Sequence, residues 1–181
     1  MLRSDQIVLR PLERTDLETL ARWRNEPQIH RWFFNIFPIT LSGQENWYQG
    51  LLKDQQRQLF VIQTIAEGRA IGTIGFDHID WKNQKAELGN VLIGEPTYRG
   101  QGLGKEAVGL MIDFGFIEMN LNRIYLEVYA SNAAAIHVYK ACGFKTEGIL
   151  REVYFKGGAF QDLCLMAILR KHYETILKKE G

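Results

Sequence analysis

The sequence is poor in cysteine and proline and has no excess charge of either sign. Its 181 residues include two cysteines, Cys142 and Cys164, too few for a disulfide framework or, by themselves, for a four-ligand zinc site. Lys plus Arg number 22 and Asp plus Glu 21, so we expect neither a nucleic-acid partner nor an anionic membrane partner. No apolar run approaches the ~20 residues that span a bilayer, and no secretory signal precedes Arg10. We therefore expect a cytoplasmic protein.

What the chain does contain is the composition of one folded domain. Hydrophobic residues make up 46% and aromatic residues 12% of the sequence, which supports a substantial core and excludes disorder. No linker, repeat or change in composition divides the chain. The sequence therefore predicts a single domain over residues 1–181.

Hydrophobic patterning predicts an α+β domain. Strands are expected over 7–12, 59–65, 70–79, 86–93, 123–129, 145–154 and 160–169, and helices over 102–118 and 133–141. Capping boxes beginning at Thr15 and Ser42 predict two earlier helices. An antiparallel meander followed by a βαβαβ pattern indicates a mixed sheet with helices on its faces.

The densest signal is a glycine-rich loop between a predicted strand and a predicted helix. It comprises Arg99, Gly100, Gln101, Gly102, Leu103, Gly104 and Lys105. Backbone N–H groups at a helix start have no internal partner, and glycines let a phosphate approach them. The loop therefore predicts a pyrophosphate site, with Arg99 as a cation at its rim. A glycine-rich turn without a ligand is the alternative.

Two other nucleotide motifs do not fit this loop. A Walker A motif requires glycine where Arg99 stands and Ser or Thr where Glu106 stands. The segment from Gly102 to Ala107 matches a dinucleotide fingerprint, with Glu127 near the expected distance. However, the preceding strand ends well before the loop, and too little chain follows for the two halves of that fold.

Two signatures in the expected order resemble the GNAT acyltransferase superfamily. Arg99-x-x-Gly102-x-Gly104 resembles its acetyl-CoA loop, and Asn132-x-x-Ala-x-x-x-Tyr139, followed by Gly143-Phe144, resembles its second signature. Val8-Leu-Arg-Pro-Leu, Trp23-Arg-Asn-x-Pro and Gly148-Ile-Leu-Arg are similar to the branch that holds ribosomal-protein α-amino, polyamine and nucleotide-amino-sugar acetyltransferases. Asn90 departs from that branch, which often has Tyr at this position.

The resemblance implies the GNAT fold, a twisted and mostly antiparallel sheet of about seven strands that splays between the fourth and fifth. It also implies direct acetyl transfer from acetyl-CoA to a primary amine, without a metal. The main chain of Val91, Leu92 and Ile93 is expected to pair with the pantetheine. Residues 99–105 are expected to hold the pyrophosphate, and the Asn132 side chain is expected to contact the cofactor.

The resemblance makes Tyr139 the acid that protonates the departing thiolate, and Glu87 the candidate base. A phenol with a pKa of ~10 is protonated at pH 7. On a regular strand Glu87 shares a face with Val91 and Ile93, which would turn its carboxylate toward the acetyl group. The alternatives are a core tyrosine and a surface carboxylate paired with a lysine. His78 and Asp80 are weaker candidates for the base.

The acceptor side is less defined. The resemblance places the aromatic residues Trp32, Phe33 and Phe34 at the acceptor wall, although such residues also lock helices onto sheets. Asn25 is expected to meet the ammonium group. A peptide N-terminus or a small-molecule amine is the predicted acceptor; a polyamine, a nucleotide-linked amino sugar and a non-catalytic acyl-CoA sensor remain alternatives. Because many superfamily members pair edge strands, a homodimer is also an open expectation.

Overall fold

The computed structural model describes residues 2–180, with side chains through residue 175. Within this range the chain forms eight strands: β1 (Leu2–Arg3), β2 (Ile7–Pro11), β3 (Gln58–Thr64), β4 (Ala70–Asp80), β5 (Lys85–Ile93), β6 (Arg123–Tyr129), β7 (Lys145–Lys156) and β8 (Ala159–Leu169). The same range contains six α-helices: α1 (Leu17–Asn25), α2 (Pro27–His30), α3 (Leu41–Leu51), α4 (Leu103–Asp113), α5 (Ala133–Ala141) and α6 (Arg170–Glu180). A π-helical turn, Phe114–Glu118, extends α4 to the predicted end of that helix.

All the described strands belong to one sheet, in the order β1-β2-β3-β4-β5-β6-β8-β7. The pair β5–β6 is parallel and the other neighbouring pairs are antiparallel. The predicted mixed, mostly antiparallel sheet is therefore confirmed. β1 is an eighth strand that the sequence did not predict, because a two-residue segment is too short to show an alternating pattern.

The sheet opens between β5 and β6. These strands pair only at Lys85–Arg123, Ala86–Ile124 and Glu87–Tyr125. Both strands continue beyond the last pair, β5 to Ile93 and β6 to Tyr129, so they diverge from there. This is the splay expected between the fourth and fifth predicted strands. It leaves the facing edges of the two strands without a strand partner.

Helices cover both faces of the sheet, as predicted. On one face, α4 packs through Ala107 and Met111. On the other, α1 and α3 pack through Trp23 and Tyr48. Burying one large apolar side chain contributes about 1.5–3 kcal/mol, so the two cores hold the edges of the splay in place from both sides.

The helix starts differ locally from the predicted ones. The predicted capping box at Ser42 is wrong, because the hydroxyl of Thr40 accepts the N–H of Gly43 at 3.0 Å and α3 begins at Leu41. The predicted capping box at Thr15 is also wrong, because Asp16 precedes α1 and its carboxylate accepts the N–H of Glu13 at 2.9 Å. Several hydroxyls and carboxylates near each start compete as caps, and tertiary packing selects among them.

Two classes of feature are absent from the part of the chain that the structure describes. No helix there combines the length and the apolar character needed to cross a bilayer. Over the same residues, no three His, Cys, Asp or Glu side chains converge as metal ligands.

Candidate active site

The glycine loop leads into α4 in a conformation that requires glycine. Gly100 and Gly102 have φ values of 76° and 84°, in the left-handed region that other residues rarely adopt. The first backbone bond of α4 runs from the N–H of Glu106 to the carbonyl of Gly102. From Gly100 to Lys105 the backbone N–H groups have no acceptor among the described residues. The loop therefore presents a row of unpaired donors at a helix start, where an anion is stabilised.

The side chain of Arg99 holds the loop from within. Its guanidinium donates to the carbonyls of Ile93 at 3.0 Å and Gly94 at 2.6 Å. It also pairs with the carboxylate of Glu26 at 3.1 Å. These contacts tie the loop to the end of β5 and fix the Arg99 guanidinium in place beside it.

A cavity of about 770 Å³ begins beside the loop and runs between α4 and α5. Gly102 and Lys105 line its start, and Lys140 lines its far side. Glu106 and Asp113 line the same cavity, so its two lysines carry no excess charge, and the unpaired N–H groups beside it are the feature that suits phosphate groups.

Strand β5 contains a β-bulge where it leaves β6. Two of its residues, Asn90 and Val91, face a single residue of β4. Asn90 has a φ of 55°, its carbonyl accepts the hydroxyl of Thr73 at 2.8 Å, and its amide donates to Asp77 at 2.8 Å. The bulge therefore fixes the backbone at the mouth of the splay.

The bulge also changes which side chains share a face. The expectation that Glu87 shares a face with Val91 and Ile93 is wrong. Val91 and Ile93 pack into the core on the α4 side, where Leu88 also lies, whereas Leu92 packs on the opposite face. The extra residue inverts the alternation, so Glu87 lies on the opposite face from Val91.

A second cavity, of about 240 Å³, opens at the splay itself. Its lining combines site residues predicted from the sequence with residues that were not predicted. The first group is Trp32, Phe33, Phe34, Glu87, Val91, Asn132 and Tyr139. The second group includes Arg24, Asn35, Asp77, Asn90 and Glu127. We call this space the splay cavity.

Tyr139 reaches the splay cavity from α5. Its ring packs edge-on against Phe144 at 5.9 Å between centroids, and its hydroxyl has no hydrogen-bond partner among the described residues. Burial raises the pKa of this phenol above its ordinary value. Tyr139 therefore stays protonated at neutral pH, which suits a proton donor.

Glu87 lies at the last β5–β6 pair and is joined to the surface by a histidine. Its carboxylate is 2.7 Å from Nδ1 of His78, whose side chain is 73% exposed. The partner of Glu87 is therefore an imidazole and not the lysine of the alternative interpretation. Asp80 instead accepts the backbone and side-chain N–H groups of Asn83 in a turn, and it does not line the splay cavity.

Glu127, another carboxylate of the splay cavity, is not among the site residues predicted from the sequence. Glu127 follows Tyr125 by two residues on β6, just past the point where the strands part. Burial raises its pKa, and the neighbouring charge of Glu87 raises it further. Strand alternation from Tyr125 could have indicated its face, but only the pairing register brings it beside Glu87.

The aromatic segment after α2 forms one wall of the splay cavity. Phe34 stacks on Tyr154 at 4.5 Å and meets Tyr129 edge-on at 5.3 Å. The ammonium of Lys156 donates to the carbonyls of His30 at 2.7 Å, Asn35 at 3.1 Å and Phe33. The β7–β8 hairpin thus holds the wall, so these aromatics both line the cavity and lock elements together.

Two asparagines predicted to bind ligands, Asn25 and Asn132, form side-chain hydrogen bonds to the main chain. Both amide atoms of Asn25 bond to the main chain of Ile39, at 2.7 and 2.8 Å, and Asn25 does not line the splay cavity. The structure therefore corrects its expected place at the acceptor: it braces a loop. The oxygen of Asn132 caps α5 by accepting the N–H of Ala135 at 3.2 Å, while Asn132 still lines the cavity.

Comparison with known proteins agrees with this architecture. The family model described as an acetyltransferase (GNAT) domain matches residues 6–145. The chain is 31% identical to spermidine N(1)-acetyltransferase of Vibrio cholerae over 94% of this chain and 96% of that protein. It is 30% identical to the enzyme of the same name from Escherichia coli, over 100% and 95%.

A solved structure extends the agreement to three dimensions. The crystal structure of spermidine N-acetyltransferase from Vibrio cholerae in complex with CoA and spermine aligns with a TM-score of 0.88 at 30% identity. The alignment covers 94% of this chain and 99% of that chain. The GNAT fold predicted from the two signatures is confirmed. Sequence, fold and site together establish that this chain belongs to the GNAT family as an N-acetyltransferase that uses acetyl-CoA.

Proposed function

We propose that the chain transfers the acetyl group directly from acetyl-CoA to a primary amine bound in the splay cavity. One observation carries the proposal: a single cavity at the splay is lined by a protonated phenol, a carboxylate and the bulged main chain of β5. Next to it, a helix start presents unpaired N–H groups. These features support the assignment of a leaving-group acid, a base and an anion-binding loop to this site.

The cofactor position follows from where backbone groups are free. We propose that the N–H groups of Gly100–Lys105 hold the pyrophosphate and that the pantetheine lies along the free edge of β5 at Val91, Leu92 and Ile93. Beyond Glu87 this edge has no β6 partner, so it can accept a strand-like ligand. Asn132 contacts the cofactor from the start of α5, which leaves the thioester in the splay cavity.

The acceptor must lose a proton before it attacks. Deprotonating a lysine-like amine at pH 7 costs about 4.6 kcal/mol, and deprotonating an α-amine costs about 1 kcal/mol. Glu87 accepts this proton, directly or through a water. Its partner His78 is exposed and offers the proton a route to solvent. The negative charges of Glu87 and Glu127 attract the incoming ammonium.

The remaining steps use the opposite wall. The amine attacks the thioester carbonyl, and a main-chain N–H at Leu92 or Ile93 stabilises the oxyanion. The C–S bond then breaks, and Tyr139 gives its proton to the CoA sulfur. The aromatic wall of Trp32, Phe33 and Phe34 encloses the acceptor.

The experiment is a thiol-release assay with acetyl-CoA against spermidine, other small amines and peptides with free N-termini. Release that depends on one acceptor class supports the proposal, and no release with any of these amines would refute it for these acceptor classes. In the responsive assay, Glu87→Gln lowers kcat and flattens the acid side of the pH–rate profile, because the proton acceptor is lost. Glu118→Gln, at an exposed carboxylate outside the cavity, is the matched control. An unchanged profile in Glu87→Gln would remove this residue from the mechanism.

A further inference from the structure

The splay cavity contains a cation that the proposed chemistry does not use. Arg24, on the inner face of α1, lines the splay cavity and also a neighbouring cavity of about 410 Å³. Asn35, Asp77 and Asn90 line both cavities as well. Arg24 therefore lies in the wall where an acceptor extending away from the thioester passes from one space into the next.

The guanidinium of Arg24 has no carboxylate within ion-pair distance among the described residues. Its Nε atom is buried and has no hydrogen-bond partner there. The guanidinium carbon of Arg24 lies 4.6 Å from the centre of the Phe33 ring. Burial lowers the pKa of Arg24, as expected for a cation taken partly out of water without a direct partner.

The nearest acidic group is already occupied. Asp77 accepts from Arg57 at 2.7 Å and from Asn90 at 2.8 Å. Asp77 attracts Arg24 at longer range, and Arg57 repels it. These three charges all line the neighbouring cavity and sum there to one positive charge, whereas Glu87 and Glu127 line only the splay cavity. Such a charge favours an anion and disfavours a second ammonium group on the acceptor.

We propose that Arg24 is a specificity-determining residue that binds an anionic group, a carboxylate or a phosphate, carried by the acceptor amine. The inference rests on the proposed function, since it concerns the same acceptor. Arginine suits this role because its planar guanidinium donates several hydrogen bonds to either anion. The amine end lies toward Glu87 and Glu127, and the anionic end lies toward Arg24, so the site matches an acceptor with separated opposite charges.

The test compares acceptors that differ by one anionic group. Lysine and cadaverine differ only in the carboxylate, and phosphoethanolamine and ethanolamine only in the phosphate; spermidine adds a polycation without an anion. For each pair, the ratio of kcat/KM with and without the anion is measured in the wild-type chain and in Arg24→Gln. We expect a ratio above one for at least one pair, falling between tenfold and a hundredfold in Arg24→Gln, as for loss of a charge-assisted hydrogen bond. Arg24→Lys restores part of the ratio.

Arg31→Gln is the matched control. Its guanidinium also stacks on an aromatic ring, that of Trp32, at 4.6 Å, but it is exposed and lies outside both cavities. The ratios stay unchanged in this variant. Wild-type ratios of one or below for both pairs, or ratios that Arg24→Gln leaves intact, overturn the inference. A preference for spermidine that Arg24→Gln does not strengthen overturns it as well.

A binding measurement separates this inference from the proposed function. Calorimetry with the CoA-bound protein compares the affinities of the same pairs without any turnover. Tighter, Arg24-dependent binding of the anionic member, together with no thiol release from acetyl-CoA with any amine in the kinetic assay, refutes the proposed function and supports the inference. Transfer to amines with equal affinity for both members supports the proposed function and refutes the inference.

Discussion

Replacing Tyr139 with phenylalanine is the sharpest test of how this enzyme releases CoA. The substitution removes one hydroxyl and keeps the ring that packs edge-on against Phe144. If the hydroxyl protonates the departing thiolate, its loss slows thioester cleavage while cofactor binding is preserved. We therefore expect kcat to fall while the affinity for CoA, measured by calorimetry, stays the same.

The structure sets different magnitudes for turnover and for stability. A positioned proton donor contributes about 10²–10⁴-fold to rate, which is the expected loss in kcat. The hydroxyl of Tyr139 bonds to no atom of the described residues, so its removal breaks no hydrogen bond. The free energy of unfolding should therefore change by less than about 1 kcal/mol, as measured by urea titration.

A second tyrosine provides a control with the opposite pattern. The hydroxyl of Tyr173 donates to Asp113 at 2.7 Å on the α4 side of the sheet. Tyr173→Phe should lose about 1 kcal/mol of stability and keep its turnover. Because burial raises the pKa of Tyr139, the wild-type rate should also show no loss of the donor up to about pH 10. Full turnover in Tyr139→Phe would refute the assignment.

Three further perturbations test the loop, the wall and the buried acid. Gly102→Ala should raise the KM for acetyl-CoA and leave the KM for the acceptor unchanged. The φ of 84° at this position costs an L residue about 1–2 kcal/mol, which disturbs the loop. A KM for acetyl-CoA equal to that of the wild-type chain would contradict this. Lys156→Met should raise the acceptor KM and cost about 2 kcal/mol of stability, because three carbonyls lose a charged donor; a thermal melt and acceptor kinetics check it. The Trp23 indole N–H and two guanidiniums outweigh burial and hold the pKa of Glu95 below its usual value, so its stabilisation is present above about pH 4.3 and is lost as pH falls. Denaturant titrations across that range should show a smaller loss in Glu95→Gln than in the wild-type chain.

Local sequence patterns were sufficient to locate the glycine loop and the start of α5. Left-handed backbone at Gly100 and Gly102, a helix start directly after them and an Asn132 cap on α5 are properties of short segments. The alternating strands were recognisable for the same reason. The two signatures therefore predicted the family and the fold, because each lies within one short segment whose residue types and spacing can be recognised without knowledge of distant contacts.

Register and long-range contacts decided the rest of the site. Arg24, Asp77 and Glu127 come from α1, β4 and β6. The hydrophobic pattern within one segment cannot predict that residues of three separate segments line the same cavity. The bulge at Asn90 inverted the face of the following residues, which no regular alternation anticipates.

The sequence by itself determined seven of the eight described strands, the glycine loop and the family, since these depend on neighbours along the chain. Only the tertiary structure decided that Asn25 braces a loop through Ile39 and that Glu87 faces His78 and not a lysine. It also decided that Arg24 lines both cavities with no carboxylate of the described residues within ion-pair distance. A side chain's partner depends on which strands pair and where they part, and that is set by the packing of the whole sheet.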